Sequence, residues 1–270
     1  MRRRYRGLLR VLVAAVALFV TTQVAQAEVS PGEKEAKLKL ARLAYDTGYF
    51  AEELTKAYLY KGNHIAVRQA GKEIKESPKE FEEAYKILNQ SINDPKSKNL
   101  LLFMKMSYDE LLDIIKQPYS LDNAQIALDL SVTVLEGARF IANDLKKSIG
   151  FQYTKVLNGF SIYFESIAKY YMAYQAGIKD DNTIKLMKET VNATGNAIEL
   201  LSKSTDNTVA MNQKMTKVQR LWEIVHKFYL DIDKGGLPFI VFKTSNDLAE
   251  TTKSYEKAME KVVKIDKVVK

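Results

Sequence analysis

The sequence predicts an all-α protein: two tandem antiparallel four-helix bundles behind an N-terminal signal peptide. Three observations predict this. Apolar and small residues recur at alternating steps of three and four along the chain after residue 27. These seams fall into two matching sets. Helix breakers are sparse, with 5 Pro and 12 Gly in 270 residues.

The first 27 residues read as a secretory signal. Met1-Arg2-Arg3-Arg4-Tyr5-Arg6 is a basic n-region, Val11 to Val20 is an apolar run, and Ala25-Gln26-Ala27 has the small-x-small form of a cleavage site. The run is ten residues long, whereas a membrane-crossing helix needs roughly 20. Cleavage after Ala27 is therefore the expectation, with an uncleaved anchor as the alternative. Every later helical stretch carries Lys, Asp or Glu, so no transmembrane anchor is expected after cleavage. The expected location is the periplasm, or outside the cell.

Removing the signal also removes five arginines and no acid, which takes the formal charge from +8 to +3. A basic pI invites a nucleic-acid reading; here that reading leaves with the peptide. The chain has no cysteine, which excludes disulfides, thiol catalysis and iron–sulfur ligation. The remaining 243 residues suffice for one large core or two smaller ones.

The repeat divides the chain into a signal at 1–27, a first bundle at 28–149 and a second at 150–270. In the first helix Leu40, Ala44, Thr47, Ala51, Leu54 and Tyr58 match Tyr153, Leu157, Phe160, Phe164, Ile167 and Tyr171, 113 positions on. The fourth helix repeats at the same offset. The second and third repeat at 110, where Leu101, Met104, Tyr108, Leu111 and Ile115 match Met211, Lys214, Val218, Leu221 and Val225. These offsets place three-residue length changes between helices one and two and between helices three and four, where loops belong.

Local signals mark the ends. Ser30-Pro31-Gly32-Glu33 has capping-box form with proline at the first helical position. Asp94-Pro95 and Ser120 open later helices, and Asp180-Asp181 and Thr205-Asp206 precede two more. Gly62-Asn63, Gly177, Pro118 and Gly235-Gly236 close them. Pro78 should kink or divide the second helix. No strong breaker separates the fourth helix from the fifth, so these two can run together.

Sites of chemistry are sparse. His64 and His226 are the only histidines and fall in different copies. Glu223-Ile224-Val225-His226 has the spacing of a bundle metal motif, but it occurs once, and such sites need several converging ligands. No cofactor or metal is expected. No nucleophile stands with a base, no glycine loop cradles phosphate, and Glu52-Glu53 point about 100° apart on their helix. A non-enzymatic role follows.

The first helix of each copy is rich in aromatics, some of them off the seam. Such a helix is either buried on several sides or walls a pocket or partner surface. On the second reading Tyr58, Tyr60, Tyr170, Tyr171 and Tyr174 supply the wall, with Lys56 and Lys169 as polar handles.

Leu43-Ala44, followed by Leu54-Thr55-Lys56-Ala57-Tyr58-Leu59, resembles the first helix of PilJ/NarX-like sensor domains, the periplasmic four-helix modules of type IV pilus chemotaxis transducers and nitrate-sensing kinases. Ile167-Ala168-Lys169-Tyr170-Tyr171 resembles the last part of the same helix, and the tandem arrangement is similar to PilJ. The resemblance implies a periplasmic binding role and two stacked bundles. It departs from the family where arginines are expected: Asp46, Gly48 and Glu53 stand in the first copy, Ser161 and Ser166 in the second. In nitrate sensors an arginine there holds the anion, so nitrate or nitrite is not the expected ligand. The expectation is an exported, non-catalytic protein that engages a periplasmic or membrane partner protein or a small molecule. A structural or adhesive scaffold is the alternative.

Overall fold

The computed structural model describes residues 30–149 and 159–266, so the expected signal and the seam positions Tyr153 and Leu157 lie outside the described residues. The described chain is all-helical, with no strand. In order it comprises α1 (Pro31–Gly62), α2 (Val67–Ser91), α3 (Pro95–Lys116), α4 (Leu121–Lys147), α5 (Phe160–Ala176), α6 (Asp181–Ser202), α7 (Val209–Leu230), a 3₁₀ turn (Ile232–Lys234) and α8 (Pro238–Asp266). Among the described residues no helix is long and apolar enough to cross a membrane.

Most helix starts follow the expected capping chemistry. The Ser30, Asp94, Ser120 and Asp180 side chains accept hydrogen bonds from the backbone N–H three residues on, satisfying donors that the first turn leaves free. Thr205-Asp206 precedes the seventh helix by a few residues. That helix is capped by Thr208, whose hydroxyl accepts from the Met211 N–H. Pro78 does not divide α2, which runs unbroken through it. Ser77 and Phe81, on either side, are fully buried, so tertiary packing holds the turn where one ladder bond is missing. The fourth and fifth helices are not continuous: α4 is capped at Ser148, and Gly159 precedes α5 in the left-handed region.

Helices α1 to α4 pack in sequence, with α4 returning against α1, and α5 to α8 repeat the pattern. The two groups meet through α1 and α5. Tyr49 reaches Glu165 and Glu52 reaches Lys169, so the two helices run the same way with positions about 113 apart face to face. The groups thus lie side by side along these helices; the expected stacking is not what the chain adopts. Flanked on both sides, α1 and α5 are buried around most of their circumference, and from Leu54 to Tyr60 every residue of α1 is buried.

The matching seams hold, with a corrected register in the third helix. Helices α3 and α7 are each 22 residues long and start 114 positions apart. Tyr108 corresponds to Trp222 and Leu101 to Met215, all buried, whereas Lys214 and Leu221 are only half-buried. The two registers, 110 and 114, differ by four residues, about one helical turn, which is why they look alike in the sequence. Helices α2 and α6 also start 114 apart, and the turns before them, 63–66 and 177–180, have equal length. The expected deletion there is absent. Instead α6 is three residues shorter than α2 and the connection after it longer.

These equal turns begin with the same backbone bond and end differently: the residue before α2, Ala66, is left-handed (φ 50°) and makes no side-chain cap bond, whereas Asp180 before α6 is extended and caps its helix. After α1 the Ile65 N–H bonds the Tyr60 carbonyl; after α5 the Ile178 N–H bonds the Ala173 carbonyl. The left-handed residue just after each helix is His64 in the first turn (φ 59°) and Gly177 in the second (φ 107°).

Candidate functional site

The densest polar constellation lies in the α1–α5 contact. Each helix carries one Glu-x-x-x-Lys: Glu52 with Lys56, and Glu165 with Lys169. On an exposed helix such residues pair with each other along one face. Here they exchange partners between the helices. Lys56 Nζ lies 2.6 Å from Glu165, and Lys169 Nζ donates to Glu52 at 2.7 Å. All four side chains are at most 1% exposed. Residue i contacting j′ while j contacts i′ is the signature of an interface with two-fold symmetry, here within one chain.

The surroundings of the two pairs differ. Lys56 also donates to Asn246 of α8 at 2.5 Å and lies 3.3 Å from Glu73 of α2. Asn246 in turn donates to Glu73 at 2.5 Å. Tyr49 donates to Glu165, and Ser77 donates to Glu53 at 2.6 Å. Lys169 has Glu52, donates to the Ser131 hydroxyl of α4 at 2.8 Å, and sits over the Tyr170 ring.

Protonation follows these neighbourhoods. Burial works against the charge on both lysines. At Lys56 the carboxylates of Glu165, Glu73 and Glu53 outweigh burial and hold its pKa above the ordinary lysine value. At Lys169 Glu52 does not, and the pKa falls below it. Burial pushes Glu165 up to about 7, with Lys56 opposing and Glu53 and Glu73 reinforcing. Glu73 is raised for the same first reason. The geometry decides the shared charge: Lys56 keeps its proton between two carboxylates, and the crowded acids compete for any second one.

A groove opens at the start of α5, lined by Arg42, Tyr45, Asp46 and Tyr49 of α1, Ser161 of α5, and Lys253 and Glu256 of α8. It encloses 20 Å³, enough for about one water. Glu256 accepts from the Phe160 N–H and the Ser161 hydroxyl, so it caps α5 from outside. Burial raises its pKa to about 7. Across from it Lys146 donates to the Tyr45 hydroxyl and lies over that ring; burial lowers its pKa to about 7.

The seven residues singled out in the sequence are all buried. Tyr58 packs against Tyr119, Tyr60 against Phe242 and Tyr171 against Tyr229, with ring centres 4.7–5.8 Å apart. Tyr174 donates to Asp233 in the 3₁₀ turn. The Tyr171 hydroxyl occupies the space a side chain on Gly236 would need. These tyrosines line neither the groove nor the shallow pocket on α2, so they wall the interior rather than an opening. Lys56 and Lys169 do come together, through the acids between them. At the positions where the sensor family carries arginine, Glu53 binds Tyr49 and Ser77, Ser161 binds Glu256, and Gly48 lies against Leu135 and Ala138. His226 stacks on Trp222 at 4.9 Å, and among the described residues no group of three or more acids and histidines is placed to hold a metal.

Sequence reasoning missed Glu52, Glu165, Glu73, Asn246 and Ser131. A signal for the first two was present: the same Glu-x-x-x-Lys recurs 113 positions on, in two helices that are apolar over more than one face. No family model, curated protein or solved structure matches this chain.

Proposed function

We propose that this chain is an exported, non-catalytic helical binding protein. A signal at residues 1–27 directs it to the periplasm, and residues 28–149 and 150–270 form two tandem antiparallel four-helix bundles similar to PilJ-like sensor modules. The partner is a protein rather than a small ligand. One observation carries this reading: Glu52, Lys56, Glu165 and Lys169 are all buried in ion pairs that join the two halves, and the tyrosines beside them are packed in the interior. An interior packed ring against ring leaves recognition to the outer surface. The same filled interior supports a second reading, a structural or adhesive scaffold.

The test uses the processed protein purified from its own cell envelope. N-terminal sequencing is expected to begin at Glu28; a start at Met1 overturns the signal reading. Native mass spectrometry is expected to show the bare chain or a stoichiometric protein complex. A co-purifying small molecule released on unfolding overturns the partner-protein reading. Capture of one defined envelope protein, abolished by surface substitutions, favours binding over scaffold.

A further inference from the structure

The charge of the chain after residue 27 is unevenly placed. Residues 28–42 and 257–270 together hold nine Lys and Arg against five Asp and Glu, a net +4, whereas residues 43–256 carry a net −1. The fold brings the two basic stretches together. Helices α1 and α8 run in opposite directions, with Lys56 bonded to Asn246 and Arg42 to Glu260, so the start of α1 lies beside the end of α8. The end of α4 joins them, because Lys146 donates to Tyr45. Lys39, Lys147, Lys257 and Lys261 are exposed there. The ion pairs at this end, Arg42 with Glu260 and Lys37 with Glu33, each consume one cation and one acid and leave the excess unchanged.

Two further observations indicate what this basic end faces. Residues 261–270 interleave four lysines with Val262, Val263, Ile265, Val268 and Val269, and Asp266 is the one acid in that stretch. Lysines alternating with branched apolar side chains suit a surface that is anionic outside and apolar beneath, which is a lipid bilayer; a dissolved polyanion offers nothing to the apolar half. The second observation is position. Helix α1 begins at Pro31, just past the expected cleavage site at Ala27, so a chain exported by that signal emerges from the bilayer at this same end.

We propose that the end of the molecule formed by the start of α1 and the last residues of the chain docks on an anionic lipid surface. The export reading supplies the bilayer that this end meets, while the affinity for lipid follows from the charge and the apolar residues alone. Each lysine held near an anionic surface contributes roughly fivefold to partitioning.

The experiment is co-sedimentation of residues 28–270 with phosphatidylcholine vesicles, with and without phosphatidylglycerol, and helical circular dichroism melts as the folding control. Binding is expected to be at least about tenfold tighter to the anionic vesicles and to weaken as salt is raised. Reversing Lys39, Lys257 and Lys261 to Glu together is expected to abolish it. Reversing Lys75, Lys188 and Lys227, exposed on α2, α6 and α7, changes the net charge by the same amount and is expected to leave binding within about threefold. A chain ending at Asp266 loses Lys267 and Lys270 and is expected to bind about tenfold more weakly. No preference for anionic vesicles, an equal loss in the two triple variants, or full binding by the shortened chain overturns the proposal. N-terminal sequencing of the native protein tests export separately: a chain that keeps its signal while residues 28–270 bind these vesicles refutes the export reading and supports lipid docking.

Discussion

The Lys56 and Lys169 sites begin from the same two residue types at matching positions of two parallel helices, and their lysine pKa values shift in opposite directions. Lys56 is held by acids from two helices, Glu165 and Glu73, and by Asn246; Lys169 has one acid and one hydroxyl. The element that differs is α2 against α6. Glu73 reaches the first site, whereas around its counterpart on α6 stand Leu186 and Met187. A buried charge is therefore set less by its immediate partner than by what the next helix contributes.

Removing single acids breaks the comparison most sharply. Glu52→Ala strips Lys169 of its only carboxylate and is expected to cost about 3–5 kcal/mol in urea unfolding. Glu165→Ala leaves Lys56 with Glu73 and is expected to cost less, roughly 2 kcal/mol. Equal losses would show that Glu73 does not compensate.

Replacing the whole Lys169 pair should be far milder. Glu52→Leu with Lys169→Leu removes both desolvation penalties, and the double variant is expected within about 1 kcal/mol of the parent, or above it. A loss as large as that of Glu52→Ala alone would mean that the pair itself, and not the stranded lysine, carries the stability.

The pH dependence sharpens the picture. Glu165 and Glu256 titrate at about 7 in the folded chain, above the ordinary 4.5 of glutamate. Between those values the folded state binds more protons than the unfolded one, so their contribution falls as pH rises from about 4.5 to about 7 and is level above. Lys146, lowered to about 7 from 10.5, acts the other way above neutrality. Unfolding midpoints are expected to drop from pH 5 to pH 7, and Glu256→Gln is expected to flatten that drop. An unchanged slope in this variant would place the titration elsewhere.

The smallest effect concerns the turns. Gly177→Ala forces an L side chain into a left-handed position and is expected to cost about 1 kcal/mol. His64→Gly relieves the same strain and is expected to gain less than that, because glycine also loosens the unfolded chain. Melting temperatures of the two variants decide this.

Much of the helical layout was legible from the sequence, and the reasons are local. Ser30, Asp94, Ser120 and Asp180 announce helix starts through short-range hydrogen bonding, and seams such as Phe81 and Leu88 follow from periodicity. The third-helix register was not legible, because a shift of four residues is about one helical turn and leaves the apolar seam nearly unchanged, so only packing selects between the two. The polar constellation was half legible. Lys56 and Lys169 stood out, but Glu52 and Glu53 looked like neighbours that diverge. They do diverge, one toward α5 and the other toward α2, and a single sequence does not say which helices lie there.

The start of α1 runs beside the end of α8, with Arg42 bonded to Glu260 at 3.0 Å and Lys56 to Asn246 further along. Those two elements could be spliced by a short added linker, and the chain reopened in the 203–208 connection, without parting a single helix from its neighbours. Such a circular permutant would keep the contacts between helices while its order of synthesis changed, with α7 and α8 made first and α6 last.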